Sequence, residues 1–217
     1  YDSGPAVEAV ERIGKRLTGD SRFVYRWFVA KQPELNAFAA PGGVVVVFSG
    51  LLKSIRTPEE LAGVLAHEIA HAELRHSLLL LVKNLGIRAL ISFTIGDFSG
   101  GALTEALAGL TELKFSRDAE READLDGLRR LQEAQIDPRG MVSFFELMEK
   151  KSSLNPPEIL STHPAPKDRL ETLRNAVSAL KIDPVPLDVN LADVKASFQN
   201  TEKGLGPQNH GPKGFEN

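Results

Sequence analysis

Apolar residues follow two different periods along this chain, and together these predict a small sheet set among helices. Between Pro5 and Leu17 they recur at helical spacing, which predicts a helix. Residues 23–30 alternate and are rich in aromatic and β-branched side chains, which predicts a strand. Residues 35–39 and Val44–Phe48 predict two further strands, and the turn sequence Pro41-Gly42-Gly43 between them predicts a hairpin.

A long helix is predicted next, from residue 57 to about residue 82. Its beginning is well defined in the sequence. Thr57 is a good N-cap, Pro58 suits the first helical position, and Glu60 completes a capping box.

Loop signals and helical periods alternate in the second half of the chain. Glycines predict a loop at 96–101, and Pro and Ser predict another at 152–166. Helices are predicted at residues 104–113, 116–134, 137–151 and 167–181. From residue 183 the periodicity fades, so we divide the chain into one domain at 1–182 and a C-terminal arm or tail at 183–217. The predicted fold class is α+β, mainly helical.

Composition narrows the range of functions. The 217 residues are 42% hydrophobic and 25% charged, which is typical of a soluble globular protein. A net charge of -3 argues against broad nucleic-acid binding. There is no cysteine, so any metal must be held by His, Asp or Glu. The most apolar stretch, residues 77–96, is interrupted by Lys83 and Arg88, which favours a packed or surface helix. The chain starts with Tyr1, which is typical of a processed product and leaves a removed leader or anchor open.

The segment His67-Glu68-Ile69-Ala70-His71 lies within the predicted long helix. Residues four apart on an α-helix project about 40° apart, so the His67 and His71 rings can reach one metal ion. Glu68 projects beside that position, where its carboxylate can contact a metal-bound water. This is the zincin arrangement of two neutral imidazoles on Zn²⁺ and a carboxylate as general base. The alternative is two surface histidines beside an acid.

A catalytic zinc needs a third protein ligand. The class that continues as HExxHxxGxxH is excluded, because Leu74 and Ser77 stand at its glycine and last histidine positions. His76 does not replace that ligand, since on a continuous helix it lies about 140° around the axis from His71. We therefore expect His76 to be an exposed polar residue.

The other class takes a glutamate from a following helix, and the candidates are Glu105, Glu112, Glu120 and Glu122. Glu120 stands out because Asp124 lies one turn further on the same face. Asp124 could accept the spare N–H of a ligating histidine and fix its tautomer. The alternative is that these acids form a solvated charged face.

Four motifs together carry a family resemblance. They are HEIAHAELRH at 67–76, SRDAEREAD at 116–124, STHP at 161–164 with Arg169, and NAFAAPGG at 36–43. Their order and spacing resemble the zinc metallopeptidase family of HtpX and the CAAX prenyl proteases, and most closely its soluble periplasmic members such as BepA and LoiP. The resemblance implies a zincin-like metallopeptidase domain with a long HExxH helix against a small sheet.

The resemblance implies a role for each matching residue. His67, His71 and Glu120 match the ligands of one Zn²⁺ per chain, Glu68 matches the catalytic glutamate, and Asp124 matches the acid that supports the site.

His163 and Arg169 match positions near the zinc, where the histidine can occupy the open coordination site. Without the resemblance, His163 is only a histidine before a proline in a loop, and Arg169 could equally be a cation on a helix face.

The expected function is a zinc-dependent metalloendopeptidase that hydrolyses unfolded or misassembled proteins in periplasmic or envelope quality control, with possible self-inhibition by His163. The expected substrate edge is Val44–Phe48, which would pair with an extended peptide, and the expected contacts are Asn36, Gly43, Val44 and Val45. The alternative is a non-proteolytic zinc-binding domain that holds client chains in the manner of a chaperone.

The chain departs from the resembled family in two ways. It has no clear membrane spans, which argues against prenylated substrates, and no long helical-repeat extension, so a large partner recruited through repeats is not expected. The expected partners are polypeptide substrates and no nucleic acid. A peripheral or lipid-anchored membrane association and the oligomeric state stay open.

Overall fold

The computed structural model describes residues 3–19, 21–85, 114–152, 157–164 and 167–203. The predictions for the loop at 96–101 and the helix at 104–113 lie outside these residues, as do the candidates Glu105 and Glu112. The described part combines helices with a three-stranded sheet, which confirms the predicted α+β, mainly helical class. Among the described residues, no helix is long and apolar enough to cross a membrane.

The sheet has the order β1-β3-β2, with strands at Arg26–Ala30 (β1), Ala37–Ala40 (β2) and Val44–Phe48 (β3). β2 and β3 are antiparallel and form the predicted hairpin, whereas β1 runs parallel to β3. Gly42 and Gly43 both have a φ of 82°, a left-handed conformation that glycine adopts without steric cost. The turn signal in the sequence therefore has a conformational cause.

The prediction that Val44–Phe48 offers a free sheet edge is wrong. β3 is the central strand, and its main chain pairs with β1 on one side and β2 on the other. Among the described strands, the edges belong to β1 and β2.

Helix α1 spans Pro5–Leu17 as predicted, and a short helix α2, Ser49–Ser54, follows β3 where the sequence predicted only the end of the hairpin. The predicted single helix at 57–82 is two helices, α3 at Pro58–Glu73 and α4 at His76–Leu85. Between them Arg75 has a φ of 62°, in the left-handed region, and this ends α3 and redirects the chain.

The beginning of α3 matches its sequence signals with one difference. Oγ1 of Thr57 accepts the N–H of Glu60 at 3.2 Å, as an N-cap should. The carboxylate of Glu60 accepts the N–H of Arg56 at 2.6 Å, one residue earlier than the predicted capping box requires.

The later described helices are α5 (Arg117–Glu133), α6 (Arg139–Ser152), α7 (Ile159–Thr162), α8 (Lys167–Ala179) and α9 (Leu191–Lys203). Helices α5, α6 and α8 confirm predictions to within two residues at each end. Helix α7 lies inside the segment predicted as a loop. Ser116 caps α5 as predicted, because its Oγ accepts the N–H of Ala119 at 3.2 Å.

Helix α3 is the centre of the fold, and small residues let its neighbours approach closely. A Cβ on Gly63 would lie 2.5 Å from Cα of Met141 in α6. A Cβ on Gly127 in α5 would lie 3.3 Å from the carbonyl carbon of Ala66. Only glycine fits at Gly63, so the backbones of α3 and α6 pack directly against each other.

Part of the predicted C-terminal arm belongs to the core. Val194 and Phe198 of α9 are each 1% exposed and pack in the main hydrophobic cluster. The helical spacing of these apolar residues covers only α9, which follows an extended segment, so the sequence pattern is too short to stand out. The domain division at residue 182 stays a prediction, and residues 204–217 lie outside the described part.

Candidate metal centre

Two histidines of α3 meet at one point, as their spacing predicted. Nε2 of His67 lies 3.0 Å from Nε2 of His71, and both rings are buried. The side chains sit in the middle of a helix that is buried on nearly every face, so the pair is not a surface feature. The alternative of two surface histidines is therefore wrong.

Glu120 approaches this pair from α5. Its Oε1 lies 3.3 Å from Nε2 of His71, and its Oε2 lies 3.5 Å from Nε2 of His67. The ring of Phe115, just before the Ser116 cap, stacks on His71 with 3.9 Å between centroids and holds the start of α5 against α3.

The charged run around Glu120 has two different faces. Glu120 and Asp124 are 1% and 3% exposed, whereas the side chain of Glu122 is 64% exposed. The interpretation of this run as a solvated face is therefore wrong for Glu120 and Asp124.

His163 closes the cluster from a different part of the chain. Its backbone N–H donates to Ile159 O at 2.8 Å and ends α7, and its Nδ1 lies 3.1 Å from Oε1 of Glu120 and 3.3 Å from Nε2 of His67. The structure thus brings together four buried residues whose donor atoms lie within 4.8 Å of one another: His67, His71, Glu120 and His163. This cluster can hold a metal ion.

Electrostatics favour a positive charge among these side chains. Burial alone would lower the pKa of His67, but hydrogen bonds and charges of Asp124 and Glu120 raise it to about 9. Burial alone would raise the pKa of Glu120, but its contacts with the three histidines of the cluster lower it well below the usual range. For His71, burial dominates and lowers the pKa well below 6.5, which leaves a neutral ring with a free lone pair. Both a proton and a metal ion satisfy such a site.

Glu68 lies beside the cluster without being one of the four. Its Oε2 accepts the N–H of Ala39 in β2 at 3.2 Å, and its Oε1 lies 3.6 Å from Nε2 of His163. Oε1 is buried and has no hydrogen-bond partner among the described residues. Burial, the largest effect on this carboxyl group, raises its pKa.

Arg169 and Asp124 form a buried ion pair behind the cluster. Arg169 donates from Nε to Oδ2 of Asp124 at 2.5 Å and from Nη2 to Oδ1 at 2.8 Å. Oδ1 of Asp124 also lies 3.0 Å from Nδ1 of His67. Nη1 of Arg169 contacts Oε2 of Glu120 and donates to Pro164 O at 2.8 Å, which ties the His163 loop to α8.

The expectation that His76 is exposed is wrong. His76 is 9% exposed, its Nδ1 lies 3.2 Å from Nδ1 of His71, and its Nε2 lies 3.2 Å from Oε2 of Glu122. The estimate of 140° assumed a continuous helix, and the left-handed conformation of Arg75 breaks that helix one residue before His76. Neither glycine nor proline stands at the break, so no local signal in the sequence predicts it.

Three of the four residues expected to bind substrate have structural roles in the sheet or its turn. Val45 is fully buried in the main core, Val44 packs in a second cluster with Leu81, and Gly43 O accepts the N–H of Arg26 at 2.8 Å. These three belong to the interior of the sheet or its turn, which corrects the expectation for them. Asn36 differs, because it lines a small cavity that His163 also lines.

The arrangement of two histidines, a glutamate from a later helix and a free glutamate beside them defines a metallopeptidase-type site. The sequence model of Peptidase family M48 matches residues 8–177. The chain belongs to this family, whose members are metal-dependent peptidases.

Named relatives are bacterial and mitochondrial. The chain is 34% identical to the Beta-barrel assembly-enhancing protease of Escherichia coli K12 over 193 residues, which cover 81% of this chain and 39% of that protein. It is 37% identical to the mitochondrial metalloendopeptidase OMA1 of Bos taurus over 186 residues, 76% of this chain and 35% of that protein. Its identity to the mitochondrial metalloendopeptidase OMA1 of Arabidopsis thaliana is 37% over 149 residues, 68% and 30% of the two chains. The chain thus spans well under half the length of these relatives and holds a domain of this peptidase family.

Proposed function

We propose that this domain is a zinc-dependent endopeptidase in which His67, His71 and Glu120 hold the metal. The convergence of these side chains, with Glu68 left free beside them, is the observation that carries the proposal. A tetrahedral zinc site with metal–ligand distances of about 2.0–2.1 Å has about 3.3–3.4 Å between its ligand atoms. Five of the six pairs among the four donor residues are separated by 3.0 to 3.5 Å, and all the donor atoms lie within 4.8 Å of one another. Imidazole and carboxylate donors in this number suit zinc.

Zinc bound there would supply an activated water and polarise the scissile carbonyl. Glu68 supplies the base. Its Oε1 is the buried carboxylate oxygen that makes no hydrogen bond within the described residues, and it faces the cluster near His163. A carboxylate in this position accepts the proton of the attacking water and returns it to the leaving amine. Arg169, which contacts Glu120 and pairs with Asp124, fixes the orientation of both acids.

His163 makes the site self-inhibited in this proposal. Its Nδ1 lies at hydrogen-bond distance from both Glu120 and His67, so it takes the fourth position that a catalytic site leaves to water. His163 lies at the C-terminal end of α7, a helix of one turn. A movement of this loop would release the position to water and substrate.

Strand β2 is the proposed place for an extended polypeptide substrate. It is an edge strand of the described sheet, and the N–H of Ala39 points away from β3 toward Glu68. A peptide that pairs with this edge brings its main chain to the catalytic acid without demanding a particular sequence. This favours unfolded or misassembled chains as substrates.

An apolar recess beside the cluster would receive one side chain of that peptide. His67, Glu68 and His163 form its polar side. Its other walls include Val64, Met141, Phe144, Met148, Ile159 and Leu160. We therefore propose a preference for an apolar residue next to the scissile bond. We extend the proposal to a role in quality control of the cell envelope or periplasm, because the name of one relative gives it a part in β-barrel assembly, and to a peripheral membrane association.

The competing function is a zinc-binding domain that holds clients without cleaving them. The unpaired Oε1 of Glu68 favours the enzyme, since holding a client does not require a free buried carboxylate. The test is cleavage of fluorescent unfolded casein by the zinc-loaded protein and by Glu68→Gln. We expect a loss of at least about 100-fold in the variant, with zinc content unchanged.

The matched control is Glu59→Gln, the same substitution near the start of α3, which should cleave like the wild type. Casein cleavage that is equal with and without Glu68→Gln at full zinc loading, in the wild type and in the His163→Ala background alike, would remove the enzyme and leave the binding domain.

A further inference from the structure

His76 contacts the side of His71 that points away from the cluster. The two Nδ1 atoms are 3.2 Å apart, and the other ring nitrogen of His76 lies 3.2 Å from Oε2 of Glu122. Neither His76 nor Glu122 belongs to the four-residue cluster. The three side chains form a row that runs from the cluster to the surface, where the side chain of Glu122 is 64% exposed.

The positions of the hydrogens in this row follow from chemistry. Nε2 of His71 faces Glu120 and His67, and a nitrogen that binds a metal carries no hydrogen. The neutral ring of His71 therefore carries its hydrogen on Nδ1 and donates it to Nδ1 of His76. His76 must accept there, so its own hydrogen is on Nε2 and is donated to Glu122. This is the one assignment of neutral rings that makes both contacts hydrogen bonds.

We propose that His76 is a positioning residue for the metal centre, which fixes the tautomer and orientation of His71 and is itself held by Glu122. Histidines that bind metals generally donate their second N–H to a carboxylate, a carbonyl or a water. Asp124 is the acceptor for the second N–H of His67, and His76 is the acceptor for the second N–H of His71. The inference rests on the proposed metal centre.

The backbone supplies a second, independent observation. On a continuous α-helix His76 would point about 140° away from His71 and could not reach it. The left-handed conformation of Arg75, with a φ of 62°, turns the chain back and starts α4 at His76. A conformation that L-residues adopt at a steric cost persists where the surrounding structure holds it, and here its effect is the contact between the two rings.

The affinity of the apoprotein for Zn²⁺, measured at fixed pH by competition with a chromophoric chelator, tests the proposal. His76→Leu occupies the space of the imidazole ring but offers no hydrogen-bond acceptor to His71. We expect it to weaken zinc binding about 10- to 100-fold. His76→Asn places Oδ1 where Nδ1 was, so it should remain within about threefold of the wild type, below the usual effect of losing such a partner. The matched control is Leu81→Ala, which loosens the packing of α4 on the sheet without touching the row, and its affinity should stay unchanged.

Histidine ring NMR of the zinc-loaded protein is the direct measurement. Long-range ¹H–¹⁵N spectra should show His76 as the Nε2–H tautomer, assigned by the signals that disappear in His76→Asn. An Nδ1–H or doubly protonated His76 would overturn the proposal. So would His76→Leu that binds zinc as tightly as the wild type, or Leu81→Ala that loses as much affinity as His76→Leu. A wild-type protein that does not bind Zn²⁺ at all would instead remove the metal centre and the proposed function with it.

Discussion

Oδ1 of Asp124 lies 3.0 Å from Nδ1 of His67, while Nε2 of the same ring faces His71 and Glu120. Burial alone would raise the pKa of Asp124, but the hydrogen bonds from Arg169 lower it below the usual range. Asp124 is therefore an ionised acceptor that fixes which nitrogen of His67 faces the cluster. A carboxylate in this place also makes the imidazole a stronger metal ligand.

The first prediction concerns this contact. Asp124→Ala should weaken zinc binding about 10- to 100-fold, because His67 loses its acceptor and Arg169 is left buried beside Glu120 without its main partner. Asp124→Asn keeps an oxygen at the Oδ1 position and should lose less. Chelator competition measures both. Asp118→Ala, a change at an acid of the same helix whose side chain is 82% exposed, is the control and should bind zinc normally. Equal affinities of Asp124→Ala and Asp118→Ala would contradict the assigned role.

A second prediction concerns His163. The variant His163→Ala should keep zinc, because two histidines and one glutamate remain, and it should cleave unfolded casein faster than the wild type, because the fourth position is open to water. The initial rate of casein cleavage and the zinc content of the same samples are the measurements. A rate that stays at the wild-type value with one zinc per chain would show that His163 does not hold the enzyme inactive.

The parts of the site that can be predicted from the sequence are those that depend on a single helix or a single N-cap. His67 and His71 share a helix face, and Thr57 and Ser116 mark the beginnings of α3 and α5. Helical spacing and N-capping involve residues that are close in the sequence, so both features can be predicted from it directly. Glu120 could be chosen among four acids because a partner acid follows it by one turn and because the family resemblance matches it to a zinc ligand.

The parts that sequence reasoning missed depend on tertiary contacts. Arg75 adopts a conformation that favours glycine, and nothing in its side chain indicates this. The order of the three strands depends on pairing between segments apart in the sequence, and it places β3, the valine-rich strand that was expected to be an edge, in the centre. Phe198 enters the core after an extended segment without periodicity. Each miss is a case where long-range packing overrides a local pattern.

The third prediction concerns removal of the metal. A ligand that binds only the folded state at 100 times its Kd adds about 2.7 kcal/mol to the free energy of unfolding, or roughly 5–10 °C in Tm for a domain of this size. Chelation of zinc should therefore lower the Tm by about this amount, and added zinc should restore it. In His71→Ala, which lacks one donor of the cluster, the same treatment should shift the Tm far less. A wild-type Tm that does not change when the chelator is added would show that the cluster does not bind zinc under these conditions.

The last prediction concerns Glu60, which joins the start of α3 to α6 far from the metal centre. Its carboxylate accepts from Nε of Arg56 at 2.7 Å and from Oγ of Ser143 at 2.7 Å. Burial alone would raise the pKa of Glu60, but these hydrogen bonds lower it below the ordinary 4.5. A lowered pKa in the folded state means that ionised Glu60 stabilises the fold fully above pH 4.5, and that this contribution is lost as the pH falls through the folded-state pKa.

Glu60→Gln removes the charge and keeps the size of the side chain. It should lower the free energy of unfolding by about 1–3 kcal/mol at pH 7, as expected for hydrogen bonds to a charged group. The difference from the wild type should shrink as the pH falls below 4.5, because the protonated glutamate comes to resemble the glutamine. Urea unfolding at a series of pH values measures it, with Glu59→Gln as the control. Curves for Glu60→Gln and the wild type that stay parallel down to the lowest pH would show that Glu60 does not carry this pH dependence.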